Sequence, residues 1–257
     1  MMVNSRVSPA MAAIAYFLGN RILLPSFFGH IRVTGQENLP HEGAVILAPT
    51  HRSRWDGLII PHITGPSVTG RYLRFMVTAD EMTGLQGWLL RRLGGFPVNI
   101  RQPGISSLRY GMELLQNGEM LVIFPEGGIF RDGDLHPLKP GLARLAIQAE
   151  QSQPELSVKI VPIHLEYSKA LPTWGDDVTA RIGEPIAVAN YLESSAKQGA
   201  RRLTEDLHQR LLEMGKKPSS PRVACRSEHG SLNQTVLDHA VLEPMELDVF
   251  EQPMVRQ

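Results

Sequence analysis

Short apolar runs alternate along the chain with segments whose apolar residues recur at helical spacing. Seven runs read as strands: His30–Thr34, Ala44–Ala48, Arg74–Thr78, Phe96–Ile100, Met120–Phe124, Val158–Leu165 and Val178–Ile182. Several, such as Met120-Leu-Val-Ile-Phe124, are apolar throughout, the pattern of a strand covered on both faces. Between them Gly57–Ile63, Gly84–Leu93, Ile105–Gln116 and Leu142–Gln151 read as helices. In the third, Ile105, Leu108, Met112 and Leu115 form one stripe, and Gly118 follows its end. A last helix near Tyr191 to Met214 repeats Leu203, Leu207 and Leu211, with Gly215 as its stop. This alternation predicts one α/β domain, a central mostly parallel mixed sheet flanked by helices. In such sheets sites form at the carboxyl ends of the strands.

The two ends differ from this pattern. Near the start, Ser8 and Pro9 can open a helix, and Met11, Ile14, Ala15, Leu18 and Ile22 continue it until Pro25, which is expected to stop it. With Arg6, Arg21 and Arg32 as flanks, this amphipathic segment can lie in a lipid headgroup layer; packing as an ordinary surface helix fits its periodicity equally well. No uninterrupted run of about 18 apolar residues occurs, so no spanning helix is predicted. No small-residue cleavage pattern suggests a signal peptide either. Lys216-Lys-Pro-Ser-Ser-Pro221 reads as a linker, and Glu228 to Gln252 carries six acidic residues without Lys or Arg. The expected organisation is residues 1–29 as a membrane-associating segment, 30–215 as the domain, and 216–257 as linker and acidic, disordered tail.

Charge adds an asymmetry that the overall balance of zero hides. Residues 1–110 hold eleven Arg, no Lys and five acidic residues, a net +6, while residues 111–215 come to −5. Arg without Lys suits forked recognition of phosphate or carboxylate, although a general preference for Arg gives the same count. The single cysteine, Cys225, excludes an intrachain disulfide and any cysteine-based zinc framework.

Candidate chemistry gathers in two stretches. In Ala44-Val-Ile-Leu-Ala-Pro-Thr-His-Arg-Ser-Arg-Trp-Asp-Gly57 a buried strand ends at Pro49, with His51 and Asp56 just beyond. On a continuous helix the two side chains would point roughly 140° apart; across a strand-to-helix turn they can meet. A carboxylate would then fix the imidazole and let its second nitrogen take a proton from a hydroxyl. In Met120-Leu-Val-Ile-Phe-Pro-Glu-Gly-Gly128 a strand runs into a Pro-Glu-Gly-Gly turn. Its glycines permit positive φ, so backbone N–H groups near Gly127 and Gly128 could face an oxyanion, with Glu126 held out toward substrate. His62, His136 and His164 read as structural, without acidic partners at useful spacing.

His51-x4-Asp56, followed by Phe124-Pro-Glu-Gly127, resembles the bacterial and plastid 1-acylglycerol-3-phosphate acyltransferases and their glycerolipid acyltransferase relatives, from about His30 to about Ile186. Gly94-Gly-Phe-Pro-Val-Asn-Ile-Arg101 is similar to that family's second block, Val161-Pro-Ile163 to its fourth, and Lys139-Pro-Gly141 to its basic-Pro-Gly segment. The chain departs from the family in three places. Arg131 falls two positions late, behind Phe130; Thr50 stands where Asn is usual before the His; Asn99 stands where Asp is common.

The resemblance implies direct acyl transfer from acyl-CoA or acyl carrier protein to the free hydroxyl of a lysophospholipid, foremost 1-acyl-sn-glycerol 3-phosphate. His51 and Asp56 would be the catalytic pair. Arg101, Glu126, Gly127, Gly128 and Arg131 would bind substrate. No metal, no bound cofactor and no nucleic-acid partner is expected, and the place of work would be the cytoplasmic face of a membrane lipid surface. Alternatives are another acceptor, such as glycerol 3-phosphate or a different lysolipid, and a catalytically silent lipid-surface binding protein.

Overall fold

The computed structural model describes residues 5–99, 105–193 and 195–216. In chain order the elements are α1 (Pro9–Leu18), a π-turn (Gly19–Leu23), α2 (Leu24–Phe27), β1 (Ile31–Thr34), β2 (Val45–Pro49), α3 (Asp56–Thr64), α4 (Pro66–Thr69), β3 (Leu73–Thr78), α5 (Gly84–Arg92) and β4 (Gly95–Val98). There follow α6 (Ile105–Gln116), β5 (Met120–Val122), α7 (Gly141–Ser152), β6 (Lys159–Tyr167), β7 (Val178–Ile182), β8 (Ile186–Ala187) and α8 (Ala196–Lys216).

The strands form one eight-stranded sheet in the order β1-β7-β6-β2-β5-β3-β4, with β8 added on β6. β2 lies between β5 and β6 and is parallel to both, and β3 is parallel to β5 and β4. Only β7 and β8 run antiparallel to β6, which makes the sheet mixed but mostly parallel, as the sequence pattern predicts. All five residues of β2 are buried. Ile46 and Leu121 face one core, beneath Leu115 of α6, Leu145 of α7 and Leu203, Leu207 and Leu211 of α8. Val45, Leu47 and Val122 face the other, under Ile59, Ile60 and Ile63 of α3. Each such side chain contributes about 1.5–3 kcal/mol by leaving water, so β2 is fixed from both faces.

This central strand positions the site. β6 pairs with β2 as far as Pro49, opposite Ile163, and then runs four residues further to Tyr167. The Thr50 N–H donates to the Ile163 carbonyl at 2.9 Å, and the Thr50 hydroxyl accepts from the Leu165 N–H at 2.9 Å. The chain leaving β2 is therefore pinned to β6 before it turns into α3.

Some elements differ from expectation. Pro25 does not stop the N-terminal helix: it lies in the first turn of α2, where a missing N–H is tolerated. Pro9–Phe27 is in consequence long and apolar enough to cross a membrane by length and composition, and little of it is buried. The last helix begins at Ala196, after a 3-10 turn at Val188–Tyr191. β5 ends at Val122, short of Phe124, because Pro125 already bends the chain away. The expected tail beyond Lys216, with Cys225, lies outside the described residues.

Candidate active site

His51 and Asp56 meet across the β2–α3 turn. The imidazole Nδ1 lies 2.9 Å from Asp56 Oδ2. The carboxylate is completely buried, while about a fifth of the imidazole remains open to solvent. Asp56 is the first residue of α3, so its side chain also caps the loop before it: Oδ2 accepts the N–H groups of Arg52 (2.7 Å) and Ser53 (2.9 Å). The second oxygen, Oδ1, accepts the Tyr167 hydroxyl at 2.5 Å. Backbone and phenol groups thus donate to both oxygens of this carboxylate. With an anion at Nδ1, the N–H belongs on that nitrogen and the Nε2 lone pair is left as the base.

The imidazole ring stacks on Phe124, centroids 3.9 Å apart. The His51 carbonyl accepts the Phe130 N–H at 2.9 Å. A loop over residues 125–139 thus folds back on His51, closed by the Lys139 N–H donating to the Pro125 carbonyl at 2.8 Å.

Glu126 corrects the sequence reading. It is not held out toward substrate; it is 1% exposed. Its Oε1 accepts the His51 N–H at 2.9 Å and its Oε2 the His136 N–H at 3.0 Å. The Arg52 guanidinium, itself buried, sets Nη1 3.0 Å from both oxygens. The cause is the fold-back of the 125–139 loop, which brings His136 over a carboxylate that a simple turn would leave in water.

The two glycines also divide. Gly127 has φ of +71°, as expected of the turn, but its N–H donates to the Phe124 carbonyl at 3.2 Å and is occupied. Gly128 lies under the Phe130 ring. Arg131 is exposed on the loop. Arg101 lies outside the described residues.

His136 is not without an acidic partner: its Nε2 lies 2.7 Å from Asp132 Oδ2, one helical repeat earlier in sequence, and its ring stacks on Phe130 at 3.7 Å. The contact lowers the Asp132 pKa, chiefly through the hydrogen bond from His136. His164 is buried beside Arg181, and burial, then the charges of Arg181 and Arg52, lower its pKa to about 4. His62 is lowered by burial. Among the described residues no group of three or more His, Cys, Asp or Glu side chains is arranged to hold a metal ion.

Sequence reasoning missed Tyr167 entirely, and with it the burial of Arg52 against Glu126. Tyr167 carries no local signal, since its role depends on β6 outrunning β2. A His/carboxylate pair with the carboxylate buried and the imidazole partly open to solvent can deprotonate a hydroxyl for attack on a carbonyl.

Comparison with known proteins agrees with that chemistry. The family model described as acyltransferase matches residues 30–166. A 1-acyl-sn-glycerol-3-phosphate acyltransferase of Bacillus subtilis (strain 168) is 28% identical over 199 residues, covering 75% of this chain and 92% of its own length. One from Streptococcus pneumoniae (strain ATCC BAA-255 / R6) is 25% identical over 66% of this chain and 60% of its own. A glycerol-3-phosphate acyltransferase of Xanthomonas campestris pv. campestris is 27% identical over 74% of this chain, which spans only 22% of that relative. The crystal structure of the 1-acyl-sn-glycerophosphate (LPA) acyltransferase, PlsC, from Thermotoga maritima shares the fold, with a TM-score of 0.60 over 81% of each chain at 22% identity.

Proposed function

The chain belongs to the acyltransferase family, and from that premise we propose that it moves a fatty acyl group from a thioester donor to the free hydroxyl of 1-acyl-sn-glycerol 3-phosphate, giving phosphatidic acid. The observation that carries the reading is the His51–Asp56 contact, 2.9 Å at Nδ1, in an otherwise buried pair whose imidazole still reaches solvent.

His51 Nε2 takes the proton of the acceptor hydroxyl as its oxygen attacks the thioester carbonyl. A tetrahedral oxyanion forms, the carbon–sulfur bond breaks, and the imidazolium returns the proton to the leaving thiolate. Asp56 stabilises the imidazolium without accepting its proton. The donor is acyl-CoA or acyl carrier protein, and no metal or bound cofactor takes part in these steps. Arg101 and Arg131 are proposed to meet the acceptor phosphate, as forked cations suit that charge.

Membrane association completes the reading. Ile14, Phe17, Leu18, Ile22 and Leu23 are exposed on the N-terminal helical segment, with Arg21 among them, a composition that fits a lipid surface on the side where lyso-acceptors reside. The test is thiol release by purified protein supplied with acyl-CoA or acyl carrier protein donor and, in separate reactions, lysophosphatidic acid or glycerol 3-phosphate. Thiol release dependent on lysophosphatidic acid supports the reading. Release with glycerol 3-phosphate alone transfers the assignment to that acceptor, which the Xanthomonas relative's name favours. Vesicle binding without thiol release overturns it.

A further inference from the structure

We infer that Tyr167 is a positioning residue of the His51–Asp56 pair, setting the carboxylate's orientation and thereby how tightly His51 holds its proton. The inference rests on the reading of His51 as the proton acceptor, and extends it to a residue that lies outside the motifs carrying the family resemblance.

The geometry is specific. Asp56 has two carboxylate oxygens with different tasks. Oδ2 faces the imidazole and the N–H groups of Arg52 and Ser53. Oδ1 faces away from His51 and receives the Tyr167 hydroxyl at 2.5 Å. Without that donor, Oδ1 is a buried anionic oxygen with no hydrogen-bond partner among the described residues, and the carboxylate plane is held from the Oδ2 side alone. A hydroxyl on Oδ1 locks the plane in which Oδ2 meets Nδ1. It also draws negative charge toward Oδ1, which weakens the hold of Oδ2 on an imidazolium.

Tyr167 suits this task for reasons that start in the sheet. β6 continues past the end of β2, so its last residue overhangs the β2–α3 turn. Tyr167 is then paired to Val178 of β7, which fixes its backbone. Phe28 braces its ring at 6.1 Å between centroids, and Phe28 packs in turn on Trp55, the residue before Asp56. Burial, then the charge of Asp56 and the hydrogen bond to it, raise the phenol's pKa far above its ordinary value. The hydroxyl therefore remains protonated, a donor to Asp56 at every working pH and never a base.

The test pairs Tyr167→Phe with site-specific replacement of Tyr167 by 3-fluorotyrosine, which keeps the ring and the hydroxyl and makes the donor more acidic. Two readouts are followed: steady-state transfer, and the titration of the His51 imidazole by nitrogen-15 NMR with His51→Gln identifying the resonance. In Tyr167→Phe, kcat is expected to fall roughly ten- to hundredfold, the loss of one hydrogen bond to a charged group. The KM values for both substrates should stay within about twofold, since the phenol lies behind the carboxylate. The imidazole titration, and the acid limb of the rate profile with it, should move up by about one pH unit, and 3-fluorotyrosine should move both in the opposite sense. An unchanged imidazole titration in Tyr167→Phe overturns the inference, whether or not the protein transfers acyl groups. A shifted titration in a protein without transfer upholds the positioning role and removes the acyltransfer reading instead.

Discussion

Arg52 and Glu126 form a buried ion pair directly beneath the His51 turn, with one guanidinium nitrogen 3.0 Å from each carboxylate oxygen. The same carboxylate takes the His51 and His136 N–H groups, so one side chain ties the β2–α3 turn to the returning 125–139 loop. Removing one charge leaves the other without a counter-ion in the interior. Glu126→Gln should therefore cost about 3–5 kcal/mol. The double variant Arg52→Met, Glu126→Gln should be more stable than Glu126→Gln alone, because neither charge is then stranded. Urea unfolding of the two variants checks this order. Equal stability of the single and double variants would mean that the ion pair is not what holds the loop.

The His51–Asp56 contact separates two functions that a single activity measurement would merge. His51→Ala removes the proton acceptor and should lower kcat on the order of 10³-fold. Asp56→Asn keeps the shape of the capping side chain but replaces the anion with an amide that no longer stabilises the imidazolium. Its kcat should fall on the order of 10²-fold or more, with KM nearly unchanged. Because Oδ2 also caps the Arg52 and Ser53 N–H groups, Asp56→Ala should lose stability as well, which Asp56→Asn avoids. Melting curves beside the kinetics distinguish these effects, and substantial residual turnover in His51→Ala would remove His51 from the reaction.

How much of this was legible in the sequence follows from where each contact originates. β2 and β5 are readable because both faces of each are buried, which leaves an uninterrupted apolar run. The α6 boundaries follow from one stripe of side chains. The His51–Asp56 contact needs only five residues and a turn. Tyr167 stands 111 residues from Asp56 and reaches it through the β2–β6 register, which no local pattern encodes. Glu126 misleads for a related reason: Pro-Glu-Gly has the local signature of an exposed turn, and only the return of His136 buries the carboxylate. Pro25 misleads because a proline blocks a helix interior yet is accepted in a first turn, and the π-turn before it starts the helix afresh.

His164 gives the protein a defined response to acid. Its folded pKa, lowered to about 4 by burial and by Arg181 and Arg52, lies below the ordinary 6.5 of the unfolded chain. Between those values the unfolded state binds more protons, so stability falls as pH falls. The contribution of the neutral imidazole is complete above about pH 6.5 and is lost on the way down to pH 4, about 3 kcal/mol in all. His164→Gln removes the titration, and its unfolding free energy should change less between pH 7 and pH 4.5 than that of the parent protein, by about 2–3 kcal/mol. Parallel pH dependence in the two proteins would assign the acid sensitivity elsewhere.

The N-terminal helix carries the membrane reading, and its exposed residues allow a test that leaves the domain intact. Phe17 is 61% exposed and Leu18 47% exposed, so replacing them removes few internal contacts. Leu24 and Phe28, in contrast, are buried in the core beside α3, and they anchor the segment to the sheet. Phe17→Glu with Leu18→Glu should thus retain the parent melting temperature while weakening binding to vesicles of anionic phospholipid, roughly tenfold or more, because two apolar side chains no longer enter the interface and two negative charges face the lipid. Sedimentation with vesicles measures the binding. The same variant assayed on lysophosphatidic acid dispersed in detergent should retain its kcat, since His51, Asp56 and Tyr167 are untouched; on vesicles its rate should fall with its binding. Full vesicle binding by the double variant would show that this helix is not the membrane contact, and would direct the search to the exposed Leu85, Trp88 and Leu89 of α5.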